Sequence, residues 1–196
     1  MKEKIMPRLK EICKKYLTDA RPGDWEHTLR TVEWLKYLIK HEGGDEDVLI
    51  PAAYLHDVGW HCALPEELRN KGIKNEELRK YFPLHLEKGA ELAKKILTEL
   101  NYSEDKTERI SHLISIHDLP ERIREKDEVL LMEADRLDRF GKVGLERIRG
   151  VFSSEEMVKS MMKSYEREVK NWFRTRTGKE TYKRLLIEMK EKMNKT

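Results

Sequence analysis

Residues 24–60 read DWEHTLRTVEWLKYLIKHEGGDEDVLIPAAYLHDVGW, and two helices separated by a Gly43–Gly44 turn account for the pattern. Trp25, Leu29, Val32, Leu35, Leu38 and Ile39 recur at three- and four-residue intervals, which draws a broad apolar stripe along the first helix. Asp24 suits its cap. The second helix runs from about Asp45 through VLIPAAYLHDVG, with Pro51 in an early turn and Gly59 as its exit. His27 therefore falls in the first turn of one helix, and His56 and Asp57 at the C-terminal end of the next.

The same periodicity continues on both sides. Ile5, Leu9, Ile12 and Leu17 mark an N-terminal helix that the breakers of TDARPGD end. HLEKGAELAKKILTEL, TERISHLISIHD and EVLLMEADRLDRFGKVGLERI follow downstream, then SSEEMVKSMMKSYEREVKNWF, with Ser154 as a cap, and TGKETYKRLLIEMKEKM. The stretch from Trp60 to Pro83 lacks steady periodicity and reads as a long loop carrying one short helix, the kind of segment that borders active sites. No stretch alternates as a strand would, so the fold class is all-α. The chain's 196 residues suit a single domain over 1–196, with a motif core at about 20–150 and the helices of 151–196 packed on it.

Composition narrows the function classes. Lys plus Arg number 40 and Asp plus Glu 37, a net charge of +3 that calls for no polyanionic partner. The basic segment NWFRTRTGK is short, and a lone cluster of that kind usually solvates a helix end, so a nucleic-acid partner is not expected. Cys13 and Cys62 lie far apart and make neither a disulfide framework nor a zinc ribbon. No segment approaches the roughly 20 apolar residues of a membrane span, and the N-terminus lacks the pattern of a signal peptide. The expectation is a cytoplasmic protein with no membrane partner.

His27, the His56–Asp57 pair and the much later Asp135 can converge only if their helices pack side by side, as helical bundles do around metal sites. Imidazoles with carboxylates suit a borderline divalent ion, and four ligands leave an octahedral ion with positions for water and substrate.

The order DWEHTLRTVEWL, AAYLHDVGW, HLEKGAELAKKIL, ISHLISIHD, LLMEADRLDRFGKVGLERI resembles the HD-domain phosphohydrolases. The likeness is to a small bacterial and archaeal group with a DADRLDAIG-like segment, here EADRLDRFG, and a T-x-x-G-K-like helix start, here TRTGKE. The resemblance implies an HD-domain-like helical bundle with the metal site between helices. It implies His27, His56, Asp57 and Asp135 as metal ligands, with Mn, Fe, Co, Ni, Zn or Mg as the ion. The implied reaction is hydrolysis of a phosphomonoester or phosphodiester, of a nucleotide or another small phosphorylated substrate, by a metal-activated water. Glu133 stands where the group has Asp; two residues from Asp135 on a helix, it should face away from the metal.

The same resemblance leaves His85 and His117 as ligands of a second metal or as contacts to the substrate phosphate, and the plainer alternative is that both only cap or hydrogen-bond within their helices. Asp57, His85 and His117 are the candidate catalytic residues, with Asp57 also able to take a proton from water. Asp118 is expected to cap or to face solvent ahead of Pro120, His112 to lie on another face, and His41 and His61 to sit in loops, with His61 close to the pocket. Arg30, Arg136, Arg139 and Lys142 are the candidate phosphate-binding cations, with an exposed salt bridge the commoner outcome for each. Trp34, Trp172, Phe173, Tyr182 and the Met157, Met161, Met162 cluster read as core. Two rivals stand beside hydrolysis: a dinuclear iron oxygenase of the same fold, and a regulatory module that binds metal or nucleotide without turnover.

Overall fold

The computed structural model describes residues 2–71, 75–152 and 154–194. Among them the chain is helical with no strand: α1 (Lys2–Thr18), α2 (Asp24–Glu42), α3 (Glu46–Leu55), α4 (Gly59–Ala63), α5 (Asn75–Leu78), α6 (Phe82–Glu99), α7 (Glu104–Ile116), α8 (Lys126–Leu137), α9 (Gly141–Val151), α10 (Glu155–Trp172) and α11 (Arg176–Met193). α2 packs between α3 and α8, α3 continues onto α7, and α7 onto α6, which α4 crosses. One apolar cluster, from Leu9 on α1 to Met189 on α11, fills the space between these helices. No helix is long and apolar enough to cross a membrane.

Local chemistry explains the element ends and corrects two sequence readings. Gly23, at φ +86°, takes the cap position of α2, and Asp24 is the first helical residue, its carboxylate accepting from the backbone N (3.2 Å) and Nε (2.9 Å) of Arg21. Asp45 caps α3 by accepting from Asp47 N. Pro51 has no N–H to give to the Asp47 carbonyl one turn earlier, and the Tyr102 hydroxyl of the α6–α7 connection donates to that oxygen instead, at 2.6 Å.

Gly59 does not end α3; it starts α4, and its role is close approach. A Cβ on Gly59 would lie 1.9 Å from the His85 carbonyl oxygen and 2.6 Å from the Gly89 nitrogen. Only hydrogen at position 59 lets the backbones of α4 and α6 touch there.

Residues 60–71 and 75–83 are not one loop with a single short helix. α4, α5 and 3-10 turns at Glu66–Leu68 and Arg79–Tyr81 divide them, because Trp60 and Leu64 bury against Ala20 under Leu78, Tyr81 and Phe82. At the far end, Ser154 caps α10 and Thr175 caps α11. Phe140 meets the rings of Tyr165, Trp172, Phe173 and Tyr182 and ties α10 and α11 to the core. The methionine cluster divides: Met162 is buried, whereas Met157 is 46% exposed.

Candidate metal centre

The packing of α2, α3 and α8 brings four of the sequence-selected side chains to one buried point. His27 Nε2 lies 3.0 Å from Asp135 Oδ1 and 3.3 Å from His56 Nε2. Asp57 Oδ2 lies 3.6 Å from His56 Nε2 and 3.8 Å from His27 Nε2. Two donors about 2.1 Å from one ion stand about 3.0 Å apart in cis and about 4.2 Å apart in trans octahedral positions. His27, His56 and Asp135 satisfy that spacing as one metal-holding group, and Asp57 adjoins it through His56 and His27.

A second group adjoins the first through Asp57. Its other oxygen, Oδ1, is 4.0 Å from His85 Nε2 and 3.9 Å from His117 Nε2, and Asp118 Oδ2 lies 3.6 and 3.7 Å from the same two nitrogens. His85, His117 and Asp118 satisfy the spacing of a metal-holding triad, as do His56, Asp57 and His117. Asp118 thus departs from its sequence reading. It is nine-tenths buried and paired with Arg136, because the chain turns inward after α7 rather than out toward solvent.

Each imidazole is oriented by its second nitrogen. His56 Nδ1 donates to the Ala53 carbonyl at 2.8 Å, His85 Nδ1 to Phe82 at 2.5 Å and His117 Nδ1 to Ile114 at 2.8 Å. In each case the acceptor lies three residues back: Ala53 and Ile114 stand in the last turns of α3 and α7, where carbonyls are left free, and Phe82 opens α6. A carbonyl oxygen only accepts, so Nδ1 carries the proton and the Nε2 lone pair faces the centre. Among the described residues, the Nε2 atoms of His85 and His117 are buried without a hydrogen-bond partner, as orphaned donors to a cation would be. His27 is held differently, by Nδ1 donation to Asp138 Oδ2 at 2.7 Å, the carboxylate–histidine pairing that raises ligand basicity.

The charges are arranged for cations. Burial works against ionising Asp57, but His56, Arg21 and His27 outweigh it and hold the carboxyl well below the usual range. Asp135 and Asp118 are likewise pulled down against burial, Arg136 being the main cause for both. Burial alone would neutralise His27, yet its bonds to Asp135 and Asp138 raise it to about 9. Burial lowers His117 and keeps it a neutral acceptor. Asp57 also accepts from Arg21 at 2.8 Å and from Trp60 Nε1 at 3.2 Å.

The centre opens into a cavity of about 460 Å³ whose wall carries Arg21, Arg79, Arg139 and Arg147 beside Trp60, Phe82 and Tyr165. Of the cations singled out from the sequence, only Arg139 lines it. Arg136 is buried between Asp118 and Asp135, Arg30 binds Asp138, and Lys142 reaches Glu146 on the surface. His112 bonds Glu128 at 2.9 Å, and Glu133 turns from the centre to accept from Thr175, as expected. His61 pairs with Asp19 and does not line the cavity, and His41 sits in the last turn of α2.

The sequence reading missed Arg21, Arg79, Arg147 and Asp138. Asp138 had a legible signal, since it follows Asp135 by three residues and shares its helix face. Arg21 stands in a breaker segment and Arg147 on a separate helix, where no spacing marks them.

Residues 24–140, more than half of the chain, match the sequence model of the HD domain. The chain belongs to the HD-domain family. The match begins at the first residue of α2 and ends just beyond α8, so it takes in every donor described above. This HD domain is similar in structure to Bacillus subtilis YpgQ, at a TM-score of 0.70 and 19% identity over 98% of this chain and 93% of that one. YpgQ in complex with ADP gives 0.71 and 18% over the same shares. A predicted HD superfamily hydrolase from an uncultured Thermotogales bacterium gives 0.57 and 22% over 85% of this chain and 92% of that one. Likeness at such identities bears on the fold. No curated protein matches the sequence significantly. The chain is thus an HD-domain protein whose buried His and Asp side chains are grouped as a divalent metal would require.

Proposed function

We propose that the protein hydrolyses a small phosphorylated molecule of the nucleotide class, with His27, His56, Asp57 and Asp135 holding one divalent cation and Asp57, His85, His117 and Asp118 a second. The observation that carries the reading is the cavity, whose wall sets four arginines beside a cluster of cation donors. An uncharged substrate has no use for that wall. Trp60, Phe82 and Tyr165 add the apolar surface a base would stack on, and YpgQ, which shares the fold, has been seen with ADP.

The orphaned lone pairs favour the second cation over direct phosphate contact for His85 and His117. Phosphoryl oxygens and a neutral Nε2 are both acceptors, so contact between them would set lone pair against lone pair. The cations, when bound, supply Lewis acidity toward the phosphoryl group and toward water. The chain's own residues do the rest. Arg139 and Arg147 bind and orient phosphoryl oxygens, Trp60 and Arg21 hold Asp57 between the two donor groups, and the buried setting limits the water that reaches the reacting centre.

The test is metal analysis of protein purified without chelators, followed by turnover of aryl phosphates and a nucleotide panel with Mn²⁺, Co²⁺, Ni²⁺, Zn²⁺ and Mg²⁺. The expected outcome is two ions per chain, one in His85→Ala, and phosphate or pyrophosphate release. Metal-loaded protein inert toward the whole panel would sink the hydrolytic reading. Oxygen consumption by an iron-loaded form would put oxygenation in its place.

A further inference from the structure

Asp138 Oδ2 is oversubscribed. It accepts from His27 Nδ1 at 2.7 Å, from the Arg30 guanidinium at 3.1 Å and from Arg147 Nη1 at short range, whereas Oδ1 takes only Arg30 Nε, at 2.6 Å. A carboxylate oxygen has two lone pairs, so three donors on one atom compete. The competition is sharpest between Arg147 and His27, whose donor nitrogens stand 3.2 Å apart. Asp138 is buried and the Arg147 side chain is 46% exposed. Of the cavity arginines, Arg147 is the one whose described contacts reach this carboxylate. If it left, Asp138 would keep Arg30 on both oxygens and would not be stranded as a bare buried charge.

We infer that Arg147 couples anion binding to metal binding: a phosphoryl group in the cavity draws its guanidinium off Asp138, freeing Oδ2 for His27 Nδ1. Guanidinium binds phosphate bidentately and strongly enough to be recruited in this way. With one competing donor fewer on Oδ2, where Arg30 remains at 3.1 Å, and a positive charge removed from beside its ring, His27 becomes the stronger metal donor, since outer carboxylates tune ligand basicity. The coupling is reciprocal, so a bound metal tightens the hold on the anion by the same factor. The inference rests on the reading of His27 as a metal donor. It adds a role for Arg147 beyond simple attraction of phosphate.

The experiment titrates Mn²⁺ into the full chain by calorimetry, with and without saturating inorganic phosphate, for wild type, Arg147→Met and Arg79→Met. Arg79 lines the same cavity and has no described contact with Asp138. Outer-ligand changes alter metal affinity by about 10–100-fold; a partial release should give about three- to tenfold tightening by phosphate in wild type. Arg147→Met should bind Mn²⁺ that tightly with no phosphate and gain little on its addition, while Arg79→Met keeps the wild-type coupling. Arg147→Gln serves if the methionine variant does not fold.

Wild-type coupling retained in Arg147→Met would mean that phosphate acts on the ion directly, and equal tightening in both variants would mean a general field effect. Either overturns the inference. Failure of the wild type to bind Mn²⁺ at all would instead overturn the metal-centre reading beneath it.

Discussion

Gly59→Ala tests how the fold positions the centre without touching any donor. The added Cβ would sit 1.9 Å from the His85 carbonyl oxygen, well inside the roughly 3.2 Å at which carbon and oxygen begin to repel. Relief needs α4 and α6 to part by about 1 Å. The neighbours being pressed are backbone atoms of His85 and Gly89, which have no rotamer to change. Overpacking of that kind costs about 1–3 kcal/mol.

The displaced residue is His85 itself, whose ring stacks on Trp60 at 4.2 Å and whose Nε2 faces Asp118. His27 and Asp135 stand on α2 and α8, away from the contact, and His56 is the C-cap of α3. We therefore expect Gly59→Ala to fold with a urea midpoint lowered by about 1–3 kcal/mol, to keep one divalent ion and to lose the second. Turnover should fall about 10²-fold, the usual consequence of a 1 Å misplacement. Denaturation, elemental analysis and kinetics on one preparation make the assay. Unchanged stability with two ions retained would refute both the close-approach argument and the link from Gly59 to the second donor group.

Three further outcomes follow from the charges. His27 is raised from its ordinary 6.5 to about 9 by carboxylates that outweigh burial, so the stability its proton adds, on the order of 3 kcal/mol, is complete below about pH 6.5 and is lost as pH rises through 9. Metal-free protein should lose that stability in urea melts across this window, metal-loaded protein should not, and a flat metal-free profile would contradict the assignment. Asp138→Asn weakens the pairing that orients His27 and should lower metal affinity about 10–100-fold with little loss of helicity, measured by competition with a chelator. Arg136→Met leaves the buried Asp118 and Asp135 only the more distant Arg139, at 3.7 and 3.6 Å, at a cost of up to about 3–5 kcal/mol that added divalent metal should partly restore, read as a metal-dependent rise in melting temperature.

The amino-acid sequence alone marked the long helices and singled out the four side chains that the fold brings together around His27. Apolar periodicity is a local property, and the His27, His56–Asp57 and Asp135 pattern follows the order and residue types of the HD motifs. It also placed Glu133 away from the centre, because two residues on a helix point to different faces. Tertiary structure alone decided the environment of those donors. Asp118 follows a helix end and precedes a proline, a local context shared by capping and coordinating residues. Only the packing of α6, α7 and α8 turns it inward onto His85, His117 and Arg136.

Arg30, Arg136, Arg139 and Arg147 look alike in sequence; which of them faces the cavity and which neutralises a buried carboxylate depends on partners from different helices. Gly59 shows the same division. Its spacing marks a break in α3, but the need for hydrogen there comes from Gly89 and the His85 carbonyl, some 30 residues on in the chain and in van der Waals contact in space.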